Sequence, residues 1–520
     1  MGKCSSQTKS RRESESSTFT NTNNTNIQTT STNQKRKKNY KIESQQSFSG
    51  VGNQECFQNI KNFYKLGSVI GSGGFGQVRI CTKIGDETQK LFAVKSIFKQ
   101  KAEKDIIKEV KVLITLDHPS IIKFYEYFVD DEYFHLVTEL CTGGELVNKI
   151  QESPIPEKQA SSIIWKILSA IAYCHSNEIS HRDLKPENIM FETNADTDET
   201  EIKIIDFNLS KDNLTGSNMK SVIGTPYYMA PEVILGDYNR KCDVWSIGII
   251  SYFMLCGQQP FYDGKTIFNV YNKILREEPE FKEPVWETIS PEIIDFIKQC
   301  LIKDTNLRPS AKDLFVHPLF KSVRENIVNN HCTITLKSKL ENLKNFNHSE
   351  KFKKMVLKCI VENVVSSEEL KKLREIFYSL DLDHTGYINV SELQEAFTRV
   401  NLQVTDEELQ LIIEKCDDKK NGKIDYTEFL VGSVDDFYLN KVILKYVFDL
   451  FDIDKSGKIC TEDLRKMMHR CGESNKSKDE IEELIKEVTQ DDKVKINFDD
   501  LCNIFKIKTK KQFAIADKEE

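Results

Sequence analysis

An ordered series of short motifs between residues 71 and 207 constrains this chain more than any other feature. The first, Gly71-Ser72-Gly73-Gly74-Phe75-Gly76-Gln77-Val78, separates two strand-like runs, 64–70 and 78–82. Glycines at this spacing let backbone N–H groups close over phosphates without a side chain in the way. Two alternatives remain at this point, an ordinary glycine loop and a dinucleotide-binding turn, although the latter joins a strand to a helix.

A lysine and a glutamate follow in the order that nucleotide binding needs. Phe92-Ala93-Val94-Lys95 is a short strand ending in a lysine that can reach the α- and β-phosphates. Glu109 lies in the amphipathic stretch 105–116, where an ion pair with Lys95 is predicted. A lone lysine is usually solvated surface, so the interpretation depends on the motifs that follow.

The next two motifs supply groups for catalysis and metal binding. In His181-Arg182-Asp183-Leu184-Lys185-Pro186-Glu187-Asn188, Asp183 is predicted to accept the proton of a substrate hydroxyl and Asn188 to hold magnesium. Asp206 in Ile205-Asp206-Phe207 is predicted to hold magnesium across the β- and γ-phosphates. Because all the motifs occur together and in this order, ATP and magnesium are the predicted cofactors.

Residues from about 64 to 320 therefore resemble a eukaryotic protein kinase domain. The resemblance implies an α+β two-lobed fold with ATP in the cleft between the lobes, and a serine/threonine-specific class marked by Lys185 and Thr225. The catalytic residues it implies are Asp183, Lys185, Lys95 and Glu109. The implied ATP contacts are Gly71, Ser72, Gly73, Gly74, Phe75, Gly76, Val78, Lys95, Glu139, Cys141 and Glu145, with Thr138 at the gatekeeper position.

Three acidic side chains carry more specific expectations. Glu145 and Glu187 match positions that contact an arginine upstream of the phosphorylated residue, which implies protein substrates with basic residues near the target. Ordinary surface or ribose contacts are the alternative. Glu232 in Ala230-Pro231-Glu232 is expected to have a buried partner in Arg308.

The activation segment departs from the family pattern at one residue. Asn208 stands where Asp-Phe-Gly has its glycine, and asparagine is among the residues that best tolerate positive φ. The departure bears on switching speed more than on metal binding, so we expect an active enzyme. Ser221 occupies the place of a phosphorylated residue that Arg182 would pair with, or it is an unmodified loop serine.

The last third of the chain carries a repeated loop with the spacing of a calcium site. In the first copy, 381–392, oxygen ligands recur at odd positions, Gly386 makes the sharp turn and a glutamate closes the loop. The predicted ligands are Asp381, Asp383, Thr385, Tyr387 and Glu392, with Tyr387 contributing its backbone carbonyl. The flanking apolar residues have helical spacing, so the sequence predicts a helix-loop-helix calcium hand.

The other copies match less well. The second has the predicted ligands Asp417, Asn421, Lys423 and Glu428, but Lys419 has no lone pair to donate, which predicts weaker binding. The third has Asp452, Asp454, Ser456, Lys458 and Asp463, whose short closing residue predicts lower affinity or competition by magnesium. The fourth, 489–500, aligns on Ile496 but has Val494 and Lys493 at unsuitable positions, so we expect it to bind no metal.

A basic amphipathic segment joins the two parts. Between about 340 and 362 apolar residues recur at steps of three and four, interspersed with lysines. Calcium sensors bind such helices in an apolar groove. A helix packed on the kinase's larger lobe is the alternative, and both arrangements can hold in different states.

A kinase domain, a basic junction and four hands in this order resemble the calcium-dependent protein kinase family of plants and protists. The resemblance implies a two-lobed kinase fold over 63–320, an autoinhibitory junction helix over 321–365, an all-α calmodulin-like EF-hand domain over 366–505 and a tail over 506–520. It implies a serine/threonine kinase whose activity is blocked by the junction and restored when calcium binds to the hands. The alternatives are a catalytically dead scaffold, favoured only by Asn208, and a kinase whose hands only buffer calcium or dock on membranes.

Composition agrees with this organisation. The chain has 520 residues, or about three domains at roughly 100–200 residues each, with 29% charged residues and a net charge of -7, a bias that disfavours nucleic acid as a partner. Fourteen cysteines without a paired framework suit a reducing cytoplasm. The chain has no run of about 18 apolar residues, so it is not expected to span a membrane.

The N-terminus carries a predicted membrane address. Met1-Gly2-Lys3-Cys4-Ser5-Ser6 fits myristoylation at Gly2, with Cys4 available for a palmitate and a basic cluster at 35–38 as a further anchor. A chance glycine after the first methionine is the alternative. The polar composition of 1–62 predicts a disordered tether.

Overall fold

The computed structural model describes residues 59–73, 76–85, 90–193, 201–207, 211–212, 219, 224–262, 264–329, 333–347, 351–470, 477–489 and 495–507, all within one compact unit. Several positions that the sequence singles out lie outside these ranges: Gly2, Cys4, Gly74, Phe75, Asn208, Ser221, Lys493 and Val494. The predictions about these positions therefore concern residues that the structure does not describe.

The smaller lobe is an antiparallel five-stranded sheet with strand order β1-β2-β3-β5-β4. Its strands are β1 (Tyr64–Gly73), β2 (Gly76–Lys83), β3 (Leu91–Phe98), β4 (Phe124–Val129) and β5 (Tyr133–Glu139), and α1 (Lys99–Thr115) connects β3 to β4. Gly76 is required here because a Cβ on it would lie 1.9 Å from the carbonyl oxygen of Ser96 on β3. Ile60 is buried with Tyr64 and Phe92 in the core of this lobe.

The larger lobe is mainly helical. Its helices are α2 (Leu146–Glu152), α3 (Glu157–Ser176), α4 (Pro231–Leu235), α5 (Cys242–Cys256), α6 (Ile267–Arg276) and α7 (Pro291–Cys300). Two short antiparallel pairs join β6 (Ile179–Ser180) to β9 (Lys211–Asp212) and β7 (Ile189–Phe191) to β8 (Ile202–Ile204). Helix α5 is apolar around its whole circumference, which is why it lies in the centre of this lobe.

The junction forms three helices rather than one: α8 (Lys321–Asn329), α9 (Thr333–Asn345) and α10 (Lys351–Asn363). The predicted apolar stripe is thus divided between α9 and α10. Leu343 on α9 and Phe352 and Ile360 on α10 are fully buried in one core with the helices that follow. The break falls where Asn345 and Asn347, both poor helix formers, replace the leucine- and lysine-rich pattern.

The last part is all-helical, as the sequence predicted. Its helices are α11 (Ser367–Leu380), α12 (Val390–Arg399), α13 (Asp406–Cys416), α14 (Tyr426–Gly432), α15 (Lys441–Phe451), α16 (Thr461–Arg470), α17 (Lys478–Thr489) and α18 (Phe498–Ile504). The first two loops pair through Ile388 and Ile424, and the last two through β10 (Ile459–Cys460) and β11 (Lys495–Ile496). The predicted fold class, a two-lobed α+β kinase fold followed by an all-α domain of paired hands, is confirmed.

No helix among the described residues combines the length and the apolar character that crossing a membrane requires.

Candidate catalytic and calcium sites

Lys95 connects the two lobes across the cleft. Its Nζ on β3 lies 2.9 Å from Glu109 Oε1 on α1 and 2.9 Å from Asp206 Oδ1 after β8. Burial alone lowers the pKa of Lys95, but the carboxylates of Glu109 and Asp206 outweigh it and raise the pKa above its ordinary value. The predicted Lys95–Glu109 ion pair is therefore formed, and the lysine is charged.

Asp183 is held at both carboxylate oxygens. Its Oδ1 accepts hydrogen bonds from the Thr225 backbone N–H at 3.0 Å and the Thr225 hydroxyl at 2.8 Å, and its Oδ2 lies 2.8 Å from Lys185 Nζ. Lys185 Nζ also donates to Thr225 Oγ1 at 3.0 Å. The two residues that marked the serine/threonine class in the sequence thus fix the orientation of the candidate base.

Asn188 and Asp206 provide oxygens suited to magnesium. Asn188 Nδ2 donates to the Asp183 carbonyl at 2.8 Å, so its Oδ1 is the atom that faces away from that contact. The charge of Lys95 outweighs burial and lowers the pKa of Asp206, which keeps it an anionic ligand. Hard amide and carboxylate oxygens fit magnesium.

Asp243 supports the catalytic loop and was not identified from the sequence. Its Oδ2 accepts from the His181 backbone N–H at 3.0 Å, and its Oδ1 accepts from that of Arg182 at 2.8 Å. Arg182 has φ of 69°, a strained conformation for a non-glycine residue, and the fully buried carboxylate on α5 holds it. The one feature of the sequence that could have identified Asp243 is its position as an acidic residue near the start of the otherwise apolar α5.

A second buried ion pair supports the end of the activation segment. Arg308, which is fully buried, donates to Glu232 through Nη1 at 2.6 Å and Nη2 at 3.0 Å. The predicted pairing of these two residues is confirmed. The bidentate geometry makes it the kind of buried pair that costs stability when one partner is removed.

Glu139, at the end of β5, is held by two contacts within the kinase domain. Glu139 Oε1 accepts from the Lys123 backbone N–H at 2.7 Å and lies 2.9 Å from Lys203 Nζ. The side chain of Glu139 is thus engaged by Lys123 and Lys203. Cys141 is buried beside it, and burial raises the pKa of its thiol.

Glu145 and Glu187 form a like-charged pair. Burial and the charge of Glu187 raise the pKa of Glu145. Glu187 Oε2 is buried without a hydrogen-bond partner among the described residues. Two neighbouring carboxylates, one with an unused oxygen, are suited to binding a guanidinium group.

The first hand brings three carboxylates together. The Oδ1 and Oδ2 atoms of Asp381 accept from the Thr385 and Gly386 backbone N–H groups at 2.9 Å each, and Glu392 Oε1 accepts from the Asp383 N–H at 3.0 Å. Asp381, Asp383 and Glu392 have oxygens within 4.8 Å of one another. Burial and the charge of Glu392 raise the pKa of Asp381, so this cluster favours a cation and fits calcium.

The third hand places a thiol beside two carboxylates. Asp454, Asp463 and the Cys460 thiol have ligand atoms within 4.8 Å of one another. Asp452 accepts from the Ser456 and Gly457 N–H groups at 3.0 and 2.7 Å, as Asp381 does in the first hand. The oxygen set fits calcium, whereas the Cys460 thiol at the ninth position of the loop is a soft group that calcium does not prefer.

In the second hand, an ammonium is paired with a carboxylate of the loop. Lys419 Nζ is 2.8 Å from Asp425 Oδ2, and Asp425 is 1% exposed. Asp417 and Glu428 keep the loop closed by accepting backbone N–H groups, including Gly422 N–H at 2.7 Å and Asp425 N–H at 2.8 Å. The carboxylate at the ninth position is thus engaged by Lys419, and this set of side chains does not fit calcium.

The fourth hand lies partly outside the described residues. Ile496 pairs with Ile459 of the third hand, which agrees with the alignment made from the sequence. Asn497 and Asp500 form a reciprocal capping box at the start of α18.

The first two hands contact the kinase domain on a surface that we call the docking face, defined by Asp117, Ser120, Trp165, Glu192 and Glu201. Arg374 on α11 lies 2.7 Å from Glu192 Oε2 and 3.0 Å from Glu201 Oε2. Burial raises the pKa of Glu201, but the charges of Lys166 and Arg374 outweigh it and lower the pKa to about 2.

Aromatic contacts complete the docking face. Tyr378 on α11 bonds to Ser120 through their hydroxyls at 2.8 Å, and its ring lies 4.9 Å from that of Trp165. A Cβ on Gly386 would lie 2.3 Å from the Tyr173 ring, so this loop glycine serves the contact as well as the turn. None of these contacts was predicted, because each joins residues far apart in the sequence.

Comparison with known proteins agrees with this geometry. Residues 64–320 match the protein kinase domain family, and residues 370–431 and 443–506 match the EF-hand domain pair. The fold and the sites therefore define a protein kinase joined to two pairs of EF-hands.

Relatives with the same organisation occur in protists and plants. Calcium-dependent protein kinase 5 of Plasmodium falciparum is 36% identical over 438 residues, which cover 83% of this chain and 75% of the relative. Calcium-dependent protein kinase 14 of Arabidopsis thaliana is 35% identical, covering 86% and 84%. Calcium-dependent protein kinase 3 of Plasmodium berghei is 34% identical, covering 86% and 81%.

The chain belongs to the calcium-dependent protein kinase family. It is a serine/threonine protein kinase, and its cofactors are ATP, magnesium and calcium.

Proposed function

We propose that calcium binding to the first and third hands switches phosphoryl transfer on by holding the junction helices α9 and α10 in the calmodulin-like domain. The observation that carries this proposal is the shared core: Leu340, Leu343, Phe352 and Ile360 are fully buried with the helices of the hands. In the same structure the Lys95–Glu109 pair is formed. This combination is expected of a released state, in which the junction does not block the cleft.

In the proposed reaction, Asp183 accepts the proton of the substrate hydroxyl as that oxygen attacks the γ-phosphate, and the bond between the γ-phosphorus and the bridging oxygen breaks to release ADP. Lys185 and Thr225 hold the carboxylate in position, and Lys95 orients the phosphates while Glu109 holds Lys95. Asn188 and Asp206 would hold magnesium, which neutralises charge on the β- and γ-phosphates. The Thr225 hydroxyl lies where the substrate hydroxyl must enter, which supports its role in serine/threonine selection.

Substrates with an arginine upstream of the target residue suit the pair formed by Glu145 and Glu187. Burial, followed by the charge of Glu187, raises the pKa of Glu145, and a guanidinium bound beside the two carboxylates would offset both effects. A peptide series in which that arginine is replaced by alanine should show the loss mainly in KM, because the contact is remote from the reacting atoms.

Membrane association through acylation is a further part of the proposal, supported by the Gly2 and Cys4 pattern. Incorporation of a myristate analogue by an N-myristoyltransferase should be lost on Gly2→Ala. Equal labelling of the two chains would contradict it.

The central experiment measures phosphate transfer from ATP to an arginine-containing serine peptide, with magnesium throughout and either free calcium or a chelator. Lys95→Met provides the blank, Glu392→Gln removes the closing ligand of the first hand, and the exposed Glu395→Gln on the same helix is the matched control. Calcium dependence lost with Glu392→Gln and kept with Glu395→Gln supports the switch. Equal activity with and without calcium would refute it, and no activity above the blank would favour the scaffold alternative.

A further inference from the structure

We propose that the ammonium of Lys419 is the cation of the second hand, so that this hand binds the kinase domain through Asp117 and takes no calcium. The inference rests on the proposed function only in treating the other hands as calcium sites. The proposal assigns to the second hand a role that the neighbouring hands do not have. Its test measures the number of bound calcium ions, a quantity that does not depend on kinase activity.

The first step is the position of the ammonium. Lys419 occupies the third position of the loop, where the first hand has Asp383, and its Nζ lies 2.8 Å from the buried Asp425. A lysine ammonium at this distance from a carboxylate forms an ion pair. The side chain therefore supplies a positive charge to the carboxylate at the ninth position of the loop.

The second step is the contact with the kinase domain. Asp117 follows α1 and accepts two hydrogen bonds from Thr427, at 2.9 Å from the backbone N–H and 2.8 Å from the hydroxyl. Lys123 Nζ lies 3.5 Å from Asp117 and donates to the Thr427 hydroxyl at 2.9 Å. Thr427 is the eleventh residue of the loop, so the second hand itself forms this part of the interface.

The third step is the charge balance. Asp117 and Asp425 bring two carboxyl groups to the interface, and Lys123 and Lys419 bring two ammonium groups, at 3.5 Å for Lys123–Asp117 and 2.8 Å for Lys419–Asp425. A buried group of charges is tolerated when it is paired, and calcium would have to displace Lys419 from Asp425 and disturb that pairing.

The contrast with the neighbouring hands agrees with this assignment. Among the described residues, clusters of three groups able to hold a metal occur at the first hand and at the third, where the third position is an aspartate. The second loop nevertheless has the same backbone, with φ of 76° at both Gly386 and Gly422. The lysine at the third position, and not the loop conformation, distinguishes the second hand.

The test counts calcium ions bound to the full-length chain at saturating calcium, by equilibrium dialysis with radioactive calcium. Glu392→Gln should lower the count by one, which shows that the assay resolves single sites. Glu428→Gln should leave the count unchanged. A count lowered by one with Glu428→Gln would overturn the proposal.

A gain of binding provides the complementary result. Lys419→Asn places an amide oxygen at the third position and should raise the number of bound calcium ions by one. The double variant Lys419→Asn, Glu428→Gln should lose that additional ion. The matched control Lys420→Asn, at the exposed neighbouring position, should leave the count unchanged. No gain with a correctly folded Lys419→Asn chain would overturn the proposal, whatever the calcium dependence of the kinase activity.

The interface is tested separately with Lys419→Met, which removes the charge and adds no ligand. Hydrogen exchange of the backbone amides of 116–121 should become faster than in the unmodified chain, with α5 unchanged. Unchanged exchange at 116–121 would show that Lys419 does not support the contact with Asp117.

Discussion

The catalytic cleft and the docking face both depend on charged side chains, but they expose them differently. In the cleft, the side chains of Lys95 and Asp206 are 27% and 34% exposed, so ligands can reach them. On the docking face, Arg374 is 7% and Glu201 15% exposed, and the Trp165 and Tyr378 rings pack together on the same face. The difference indicates that substitutions of charged residues in the cleft should lower kinase activity. Substitutions of charged residues on the docking face should lower stability and weaken the contact between the hands and the kinase domain.

The largest expected effect is in the cleft. Asp183→Asn removes the base and should reduce kcat by roughly 10³–10⁴-fold, the upper range for general base catalysis, without a change in melting temperature. Steady-state kinetics and thermal unfolding of the same preparation check this, with the exposed Asp237→Asn as matched control. A large fall in melting temperature would contradict the comparison, because it would show that Asp183 also contributes to the stability of the fold.

The next effect is on the docking face. Arg374→Met removes the buried guanidinium that Glu192 and Glu201 share, although Glu201 keeps Lys166. The substitution should destabilise the docked state by about 3 kcal/mol, the lower end of the range for breaking a buried ion pair. Thermal unfolding with calcium should show the loss, while kcat of the fraction that remains docked is unchanged. Lys372→Met, at an exposed position on the same helix, is the control, and an equal effect of the two variants would argue against the buried contact.

A pH dependence sharpens the comparison. Burial, followed by the charge of Lys203, lowers the pKa of His118 to about 3, and its ring stacks on Tyr173 close to the docking face. Below pH 6.5 the unfolded state binds a proton that the folded state excludes, so stability should fall as the pH is lowered from 6.5 towards 3. The slope from this group is at most about 1.4 kcal/mol per pH unit.

Urea unfolding between pH 7 and pH 5 measures this slope, and His118→Gln should reduce it. The variant keeps a group able to bond to Ser169, which lies 3.0 Å from His118 Nε2. An unchanged slope would mean that His118 does not contribute to the acid sensitivity.

The smallest effect concerns a single hydrogen bond. Tyr378→Phe removes the bond to Ser120 and should cost about 1 kcal/mol, with no change in kcat. A double-mutant cycle with Ser120→Ala isolates the pair, and additive effects of the two substitutions would show that the hydroxyls do not interact.

Much of the fold and of both sites could be predicted because their signals are local. The glycine motif, the Asp183 loop and the calcium loops each carry their geometry within about a dozen residues, where backbone preference and ligand spacing are read directly. The serine/threonine markers Lys185 and Thr225 proved to meet on Asp183. Periodicity also identified the junction as helical, although not its division into α9 and α10.

Other features lacked a local signal. In the sequence, Asp243 is one acidic residue in an apolar helix. Only the fold places it next to the backbone of Arg182. Arg374 and Asp117 read as ordinary surface charges, because their partners lie 182 and 310 residues away in the chain. The sequence showed Lys419 only as a residue unable to coordinate calcium. The structure shows that it forms an ion pair with Asp425.

The sequence by itself determined the chemistry: which residues can bind phosphate, accept a proton or coordinate calcium, since those capacities belong to side chains and short spacings. Only the tertiary structure decided how these parts meet. The position of the hands on the kinase domain, the burial of the junction and the partner of each buried charge depend on contacts between distant segments. Their free energies come from desolvation and packing, which exist only once the chain has folded.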